Sequence, residues 1–136
     1  MIVSTRGRYA LRVLIDLAEH SNGERIPLKD VAQRQGISQK YIEAIMTLLS
    51  KNNLVDGLHG KGGGYKLNKA PKDYRVGDIL RITEGTLASV ACLENKDFNC
   101  ERKSVCKTLP LWTKLDDLVD KYLDSVTLAD LIEGKA

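Results

Sequence analysis

At 136 residues, with 43% apolar and 29% charged side chains, the chain has material for one domain, or for a small domain with an appendage. It carries no apolar run near the ~18 residues a membrane-spanning helix requires, and its first apolar stretch, 9–18, is broken by Arg12 and Asp16 with no small-residue cleavage site, so a cytoplasmic location without membrane contact is expected. The formal charge of +3 divides unevenly: residues 1–75 hold 13 Lys and Arg against 7 Asp and Glu, residues 76–136 hold 8 against 11, as fits a polyanion-binding front joined to an assembly or sensing back.

In chain order, Tyr9, Ala10, Val13, Leu14, Leu17 and Ala18 recur with a 3.6-residue rhythm, which predicts a helix over Thr5–His20 capped by Ser4 and ended by the Ser-Asn-Gly at 21–23. A short helix over Leu28–Gln35 follows Pro27, with Leu28, Val31 and Ala32 inward and Gly36 as its break. Ser38 is an N-cap for a third helix over Gln39–Lys51, with Tyr41, Ile42, Ile45, Leu48 and Leu49 inward and Gln39, Lys40 and Glu43 exposed in its opening turn. Helix, glycine turn and capped helix have helix-turn-helix spacing, which an ordinary three-helix corner shares. Two short strands over 53–58 and 64–69, joined by the tip His-Gly-Lys-Gly-Gly, tip the balance toward a winged helix. Three consecutive glycines, Gly62 to Gly64, imply a place where a side chain would collide with phosphate, with DNA or with another strand. The tip suits a sugar–phosphate backbone or a minor groove, with His59 and Lys61 on it. No Walker A pattern is present.

After Pro71, Val76, Ile79, Leu80 and Ile82 suggest a short helix. Residues 86–105 lack periodicity and hold two of the three cysteines, Cys92 and Cys100, with Cys106 just beyond. An odd number of cysteines with no secretion signal argues against a disulfide framework. Leu111, Leu115, Leu118 and Tyr122 then recur at helical spacing, with Trp112, Val119 and Leu123 beside them. That apolar face is wider than one packing surface needs, so the helix is expected to lie on its own domain and on a second copy of the chain. A short capped helix starting near Thr127 is expected after it. The boundaries expected are a winged helix-turn-helix unit at 1–83, a cysteine loop at 84–107 and a dimerisation helix with a terminal helix at 108–136. The two histidines, His20 and His59, meet no nucleophile or paired carboxylate at a recognisable spacing, so no enzymatic activity is expected.

Over nearly its whole length the sequence resembles the bacterial IscR-type regulators, a superfamily of dimeric winged-helix transcription factors that includes NsrR and CymR. The resemblance is carried by STRGRYALRVLIDLA at the start, QGISQKYIEAI in the second helix of the corner, GKGGGYKL in the wing, CLENKDFNCERKSVCKTLPLW and the closing VTLADLI. It implies a mainly α fold with a small two-stranded β-wing, double-stranded DNA with an inverted-repeat operator as partner, a homodimer, and a repressor. It also implies a 2Fe–2S cluster, or a 4Fe–4S cluster as in some relatives, bound by Cys92, Cys100 and Cys106. Lys96, Arg102, Lys103 and Lys107 would favour thiolates and offset cluster charge.

Three departures from the family stand out. The first cysteine gap is longer than usual; the family's histidine beyond its last cysteine corresponds to Leu109; and an acidic residue that some relatives supply from the partner's opening helix corresponds to Arg8. The fourth ligand is therefore open, with Glu94, Asp97, Glu101 and solvent as oxygen donors and Ser104 and Thr108 as poorer ones. As the alternative, three cysteines without an adjacent histidine suit zinc or reversible thiol oxidation. A protein-binding winged helix is the alternative from another class. For DNA, the turn from Ser38 faces base edges in the major groove: Gln39 suits adenine, Lys40 guanine, and Glu43 cytosine. Tyr41 either touches DNA or belongs to the core, and Arg6 and Arg8 either meet phosphates or are solvated.

Overall fold

Residues 2–60, 62–95 and 100–136 are described by the computed structural model. Helix α1 (Thr5–His20) starts where expected, its Ser4 hydroxyl accepting the Gly7 N–H at 3.0 Å. One stripe of it, Ala10, Val13, Leu14 and Leu17, is fully buried. Helix α2 (Leu28–Gln35) stops at Gly36, whose φ of 64° lets its N–H return to the Ala32 carbonyl. Helix α3 (Gln39–Lys51) is capped by Ser38, whose hydroxyl accepts the Tyr41 N–H at 3.2 Å.

The buried face of α3 is Ile42, Ile45, Met46 and Leu49. Tyr41 and Leu48, both expected inward, sit at the margins: Tyr41 is 38% exposed and Leu48 half-buried. The 42-45-46-49 stripe follows the helical repeat, and Met46 fills the place on it that Leu48 was expected to take.

Strands β1 (Val55–Leu58) and β2 (Gly64–Leu67) pair antiparallel in the register Val55↔Leu67 to Leu58↔Gly64. The first strand begins two residues later than the sequence suggested because Asn53 turns out of α3 in a left-handed conformation, φ 59°. Ile26, just ahead of α2, bridges to Tyr65 through hydrogen bonds of 2.8 and 2.9 Å. This close approach answers what the glycines accommodate. A Cβ on Gly64, φ 144°, would strike the Ile26 carbonyl, so that glycine makes room for the bridging segment ahead of α2.

Helix α4 (Val76–Glu84) leads to the cysteine segment, then to α5 (Leu109–Ser125) and α6 (Leu128–Glu133), whose Thr127 and Asp130 form a reciprocal capping box. The chain after α5 returns to the front of the molecule. The Val76 N–H donates to Val126 at 2.8 Å, the Leu128 N–H donates to Tyr74 at 3.0 Å, and Leu128 is wholly buried in the same core as α1 and α3. A smaller cluster of Val76, Leu80, Leu87 and Val126 seals α4 against that return. Arg81 of α4 grips α5 through Asp124 at 2.7 Å and Asp120 at 3.2 Å, while Thr83 and Glu84 at its end hold the start of α1.

Candidate nucleic-acid interface and cysteine cavity

The opening turn of α3 presents Ser38, Gln39, Lys40, Tyr41 and Glu43 to solvent. Gln39 Nε2 reaches Glu43 Oε1 at 3.5 Å, so one turn of helix carries a linked amide and carboxylate. Beside them the hairpin forms the far wall of a cleft, lined by Gln39, Glu43 and Thr47 of α3 and by Leu58, His59 and Gly60. The structure thus brings His59 to the same cleft as Gln39 and Glu43, while Lys61 lies outside the described residues. Thr47 was not singled out from sequence, although it falls four residues after Glu43 on the stripe that starts at Gln39.

A second cleft joins Ser4, Thr5 and Arg6 of the α1 start to Tyr41 and Ala44 of α3. Arg6 stays exposed, but its Nη2 donates to the Thr83 carbonyl at 2.5 Å; Arg8 Nη2 donates to Thr5 Oγ1 at 3.1 Å. Tyr9 packs its ring edge-on to Tyr41, centroids 5.7 Å apart, with the guanidinium of Arg12 5.1 Å and that of Arg8 5.9 Å from its centre. Tyr9, read from sequence only as part of the core rhythm, therefore braces a side chain in the opening turn of α3.

The cysteines meet elsewhere. Cys92, in a short turn at Ala91–Leu93, Cys100, and Cys106 just ahead of α5 are half-buried and line one cavity of about 170 Å³ with Leu93, Asn95, Lys103 and Leu109. The Cys106 thiol is held below its ordinary pKa. The Thr108 hydroxyl, 3.3 Å from Sγ, contributes most, followed by the backbone N–H groups of Thr108 and Leu109, with Arg102 adding positive charge. Soft cysteine sulfurs around a small apolar-walled cavity, with a lysine at its edge, are the donor type an iron–sulfur centre takes. They supply three donors, and among the described residues no three Cys, His, Asp or Glu side chains stand close enough to hold a metal ion in the conformation seen. Glu94, Glu101 and Ser104 are exposed and do not line the cavity; Lys96 and Asp97 lie outside the described residues. Leu109 occupies its wall, where the resemblance would place an imidazole.

Helix α5 has no buried residue in the single chain, and Leu111, Leu115, Leu118 and Tyr122 are 59%, 38%, 56% and 57% exposed along one stripe. A winged helix, a cysteine cavity and an uncovered helix are now joined in one chain, and residues 3–134 match the Rrf2 family of iron-dependent transcriptional regulators. The chain belongs to the Rrf2 family. It is 34% identical over 135 residues to the HTH-type transcriptional regulator IscR of Pectobacterium carotovorum and 35% identical to that of Erwinia tasmaniensis, each match covering 99% of this chain and 81% of the relative. Among solved structures it resembles CymR, the global cysteine regulator of B. subtilis (TM-score 0.78, 34% identity, 100% of this chain and 99% of that one). It also resembles T. potens IscR (TM-score 0.75, 36% identity, 100% and 89%). The fold is therefore that of the winged-helix Rrf2 regulators, and the chain is a DNA-binding transcriptional regulator of the IscR type rather than an enzyme. No helix among the described residues is long and apolar enough to cross a membrane.

Proposed function

We propose that this Rrf2 regulator is a cytoplasmic homodimeric repressor that reads the state of an iron–sulfur cluster held by Cys92, Cys100 and Cys106. The observation that carries the reading is the convergence of all three cysteines on one cavity at the head of α5. The cluster, of the 2Fe–2S type in this reading, supplies an occupancy and redox signal. The chain's own residues do the rest. The thiolates anchor the loop at 84–107 against the α5 N-terminus; Lys103 balances negative charge; and α5, paired with its copy through the Leu111–Leu115–Leu118–Tyr122 stripe, fixes the spacing of two units spanning 1–83. Within each unit the turn from Ser38 enters a major groove of an inverted-repeat operator, where Gln39, Lys40 and Glu43 read base edges and Tyr41 packs against them. Arg6, Arg8, His59 and Lys61 face the sugar–phosphate backbone. A loop oxygen or solvent completes the ligand set.

Anaerobic purification tests the cluster: iron and sulfide in stoichiometric amounts with visible absorption are expected, lost on replacing any one cysteine by alanine. A colourless protein without iron would overturn it.

A second reading, a thiol sensor of the same fold, is favoured by the lowered pKa of Cys106 and by the likeness to CymR, which includes the oxidised form of Staphylococcus aureus CymR at 30% identity and TM-score 0.72. It predicts a colourless protein whose DNA affinity changes with peroxide and recovers with a thiol reductant. Stoichiometric zinc in the colourless protein would point to the third use of three cysteines.

A further inference from the structure

The hairpin has only four residue pairs, and a two-stranded ribbon of that size is marginal by itself. What fixes its base is a side chain from outside it. Tyr74 is 2% exposed, and its hydroxyl lies between the two stems, just beyond the last ladder pair, Val55↔Leu67. The hydroxyl donates to the Leu54 carbonyl at 2.6 Å and accepts the Asn68 N–H at 3.1 Å, with Asn68 Oδ1 3.2 Å away. Asn68 Nδ2 crosses to the Asn53 carbonyl at 2.8 Å, closing the same junction. Leu54 is in turn tied to the recognition helix, its N–H donating to Leu49 at 3.0 Å. One hydroxyl thus joins the residue ahead of β1 to the residue after β2, and Leu54 links that junction to α3. Burial raises the phenol's pKa, so the proton needed for donation is retained at neutral pH.

We propose that Tyr74 is the positioning residue of the wing, setting the hairpin's angle against the recognition helix so that both reach one stretch of duplex. The inference rests on the reading that the wing meets the DNA backbone. Phenylalanine at this position keeps the buried ring and removes only the hydroxyl, leaving the Leu54 carbonyl without its partner. The hairpin then pivots at its base while the core holds.

The test uses the full chain and a duplex selected by the wild type from a randomised pool, with affinity measured across a range of salt. Tyr74→Phe is expected to weaken binding about two- to tenfold, the span of one net hydrogen bond. It should also lower the salt slope toward that of Lys61→Ala, and in the double variant add less than its own single effect. Amides of 55–58 and 64–67 should exchange faster while those of α1 keep their protection. Ile79→Val, a core change away from the wing, should leave the slope intact. If Lys61→Ala weakens binding but Tyr74→Phe leaves affinity and slope unchanged, or adds in full, the role of Tyr74 is overturned while the wing reading stands. If Lys61→Ala alters neither affinity nor slope, the wing reading fails and takes this inference with it.

Discussion

The Asp16 carboxylate of α1, wholly buried, receives two hydrogen bonds from the Arg34 guanidinium of α2, Nη2 at 2.7 Å and Nε at 3.0 Å. Gln35 Nε2 adds a third at 2.9 Å. Burial pushes the carboxyl up, but the hydrogen bonds of Arg34 and Gln35 together with the nearby positive charge outweigh it, and the pKa lies below the ordinary value of 3.8. A carboxyl whose pKa is depressed by folding stabilises the fold above its unfolded pKa and loses that contribution as pH falls through the folded value. Asp16→Asn should therefore cost about 1–3 kcal/mol at pH 7, discounted because Arg34 is 33% exposed, and much less near pH 2. Urea denaturation of both proteins at the two pH values checks it.

The uncovered stripe of α5 gives a prediction on assembly. Leu118→Asp places a charge at the middle of the Leu111–Tyr122 face, which the single chain leaves open. Sedimentation should show monomers in place of dimers, with operator affinity falling as the two units lose their fixed spacing.

Groove and backbone contacts separate by salt. A dimer engaging about 6–10 phosphates should lose roughly 10³–10⁵ in affinity between about 50 and 200 mM salt. Lys61→Ala should reduce the salt slope by about 1 and weaken all sequences alike, whereas Gln39→Ala or Lys40→Ala should relax one base pair each by about 1–3 kcal/mol. Titrations on the selected duplex and its single-base variants measure both.

Gly64→Ala should damage the wing more than Gly62→Ala. Both positions have positive φ, but only at Gly64 would the new methyl meet backbone, at the Ile26 carbonyl; at Gly62 it meets open space. The expected costs are about 1–2 kcal/mol for the conformation alone at Gly62 and more than that at Gly64, read from thermal melts.

Thr108→Val removes the hydroxyl beside Cys106 and should raise that thiol's pKa. In the metal-free chain, the pH midpoint of alkylation at Cys106 should move upward, and the thiolate fraction at neutral pH should fall.

Legibility followed the range of the forces. Ser4, Ser38 and Thr127 were readable as caps because a cap hydroxyl bonds an N–H three residues away, within the same short window of sequence. The α5 stripe was readable because its apolar residues recur at helical spacing, and none of the described residues buries it. The Asp16–Arg34 pair spans 18 residues, and nothing local distinguishes a buried aspartate from a solvated one. Met46 was not among the residues read as inward, and packing chose it over Leu48. Tyr74 was not singled out from sequence, because the partners of its hydroxyl at Leu54 and Asn68 are backbone groups that any residues would supply. At the candidate site, chain order showed which cysteines cluster, but that all three face one cavity together with Leu109 required the fold.

Leu128 has a consequence for how the protein is made. It is wholly buried in the core built by α1 and α3, although well over a hundred residues separate it from Leu14 and Leu17. During synthesis the first three helices and the hairpin emerge early, but their core keeps a gap until residues 126–131 have left the ribosome. Operator binding should therefore begin only after the cysteine loop and α5 have been translated. Under the proposed function, a nascent chain would gain operator binding only together with the segment that carries its cysteines.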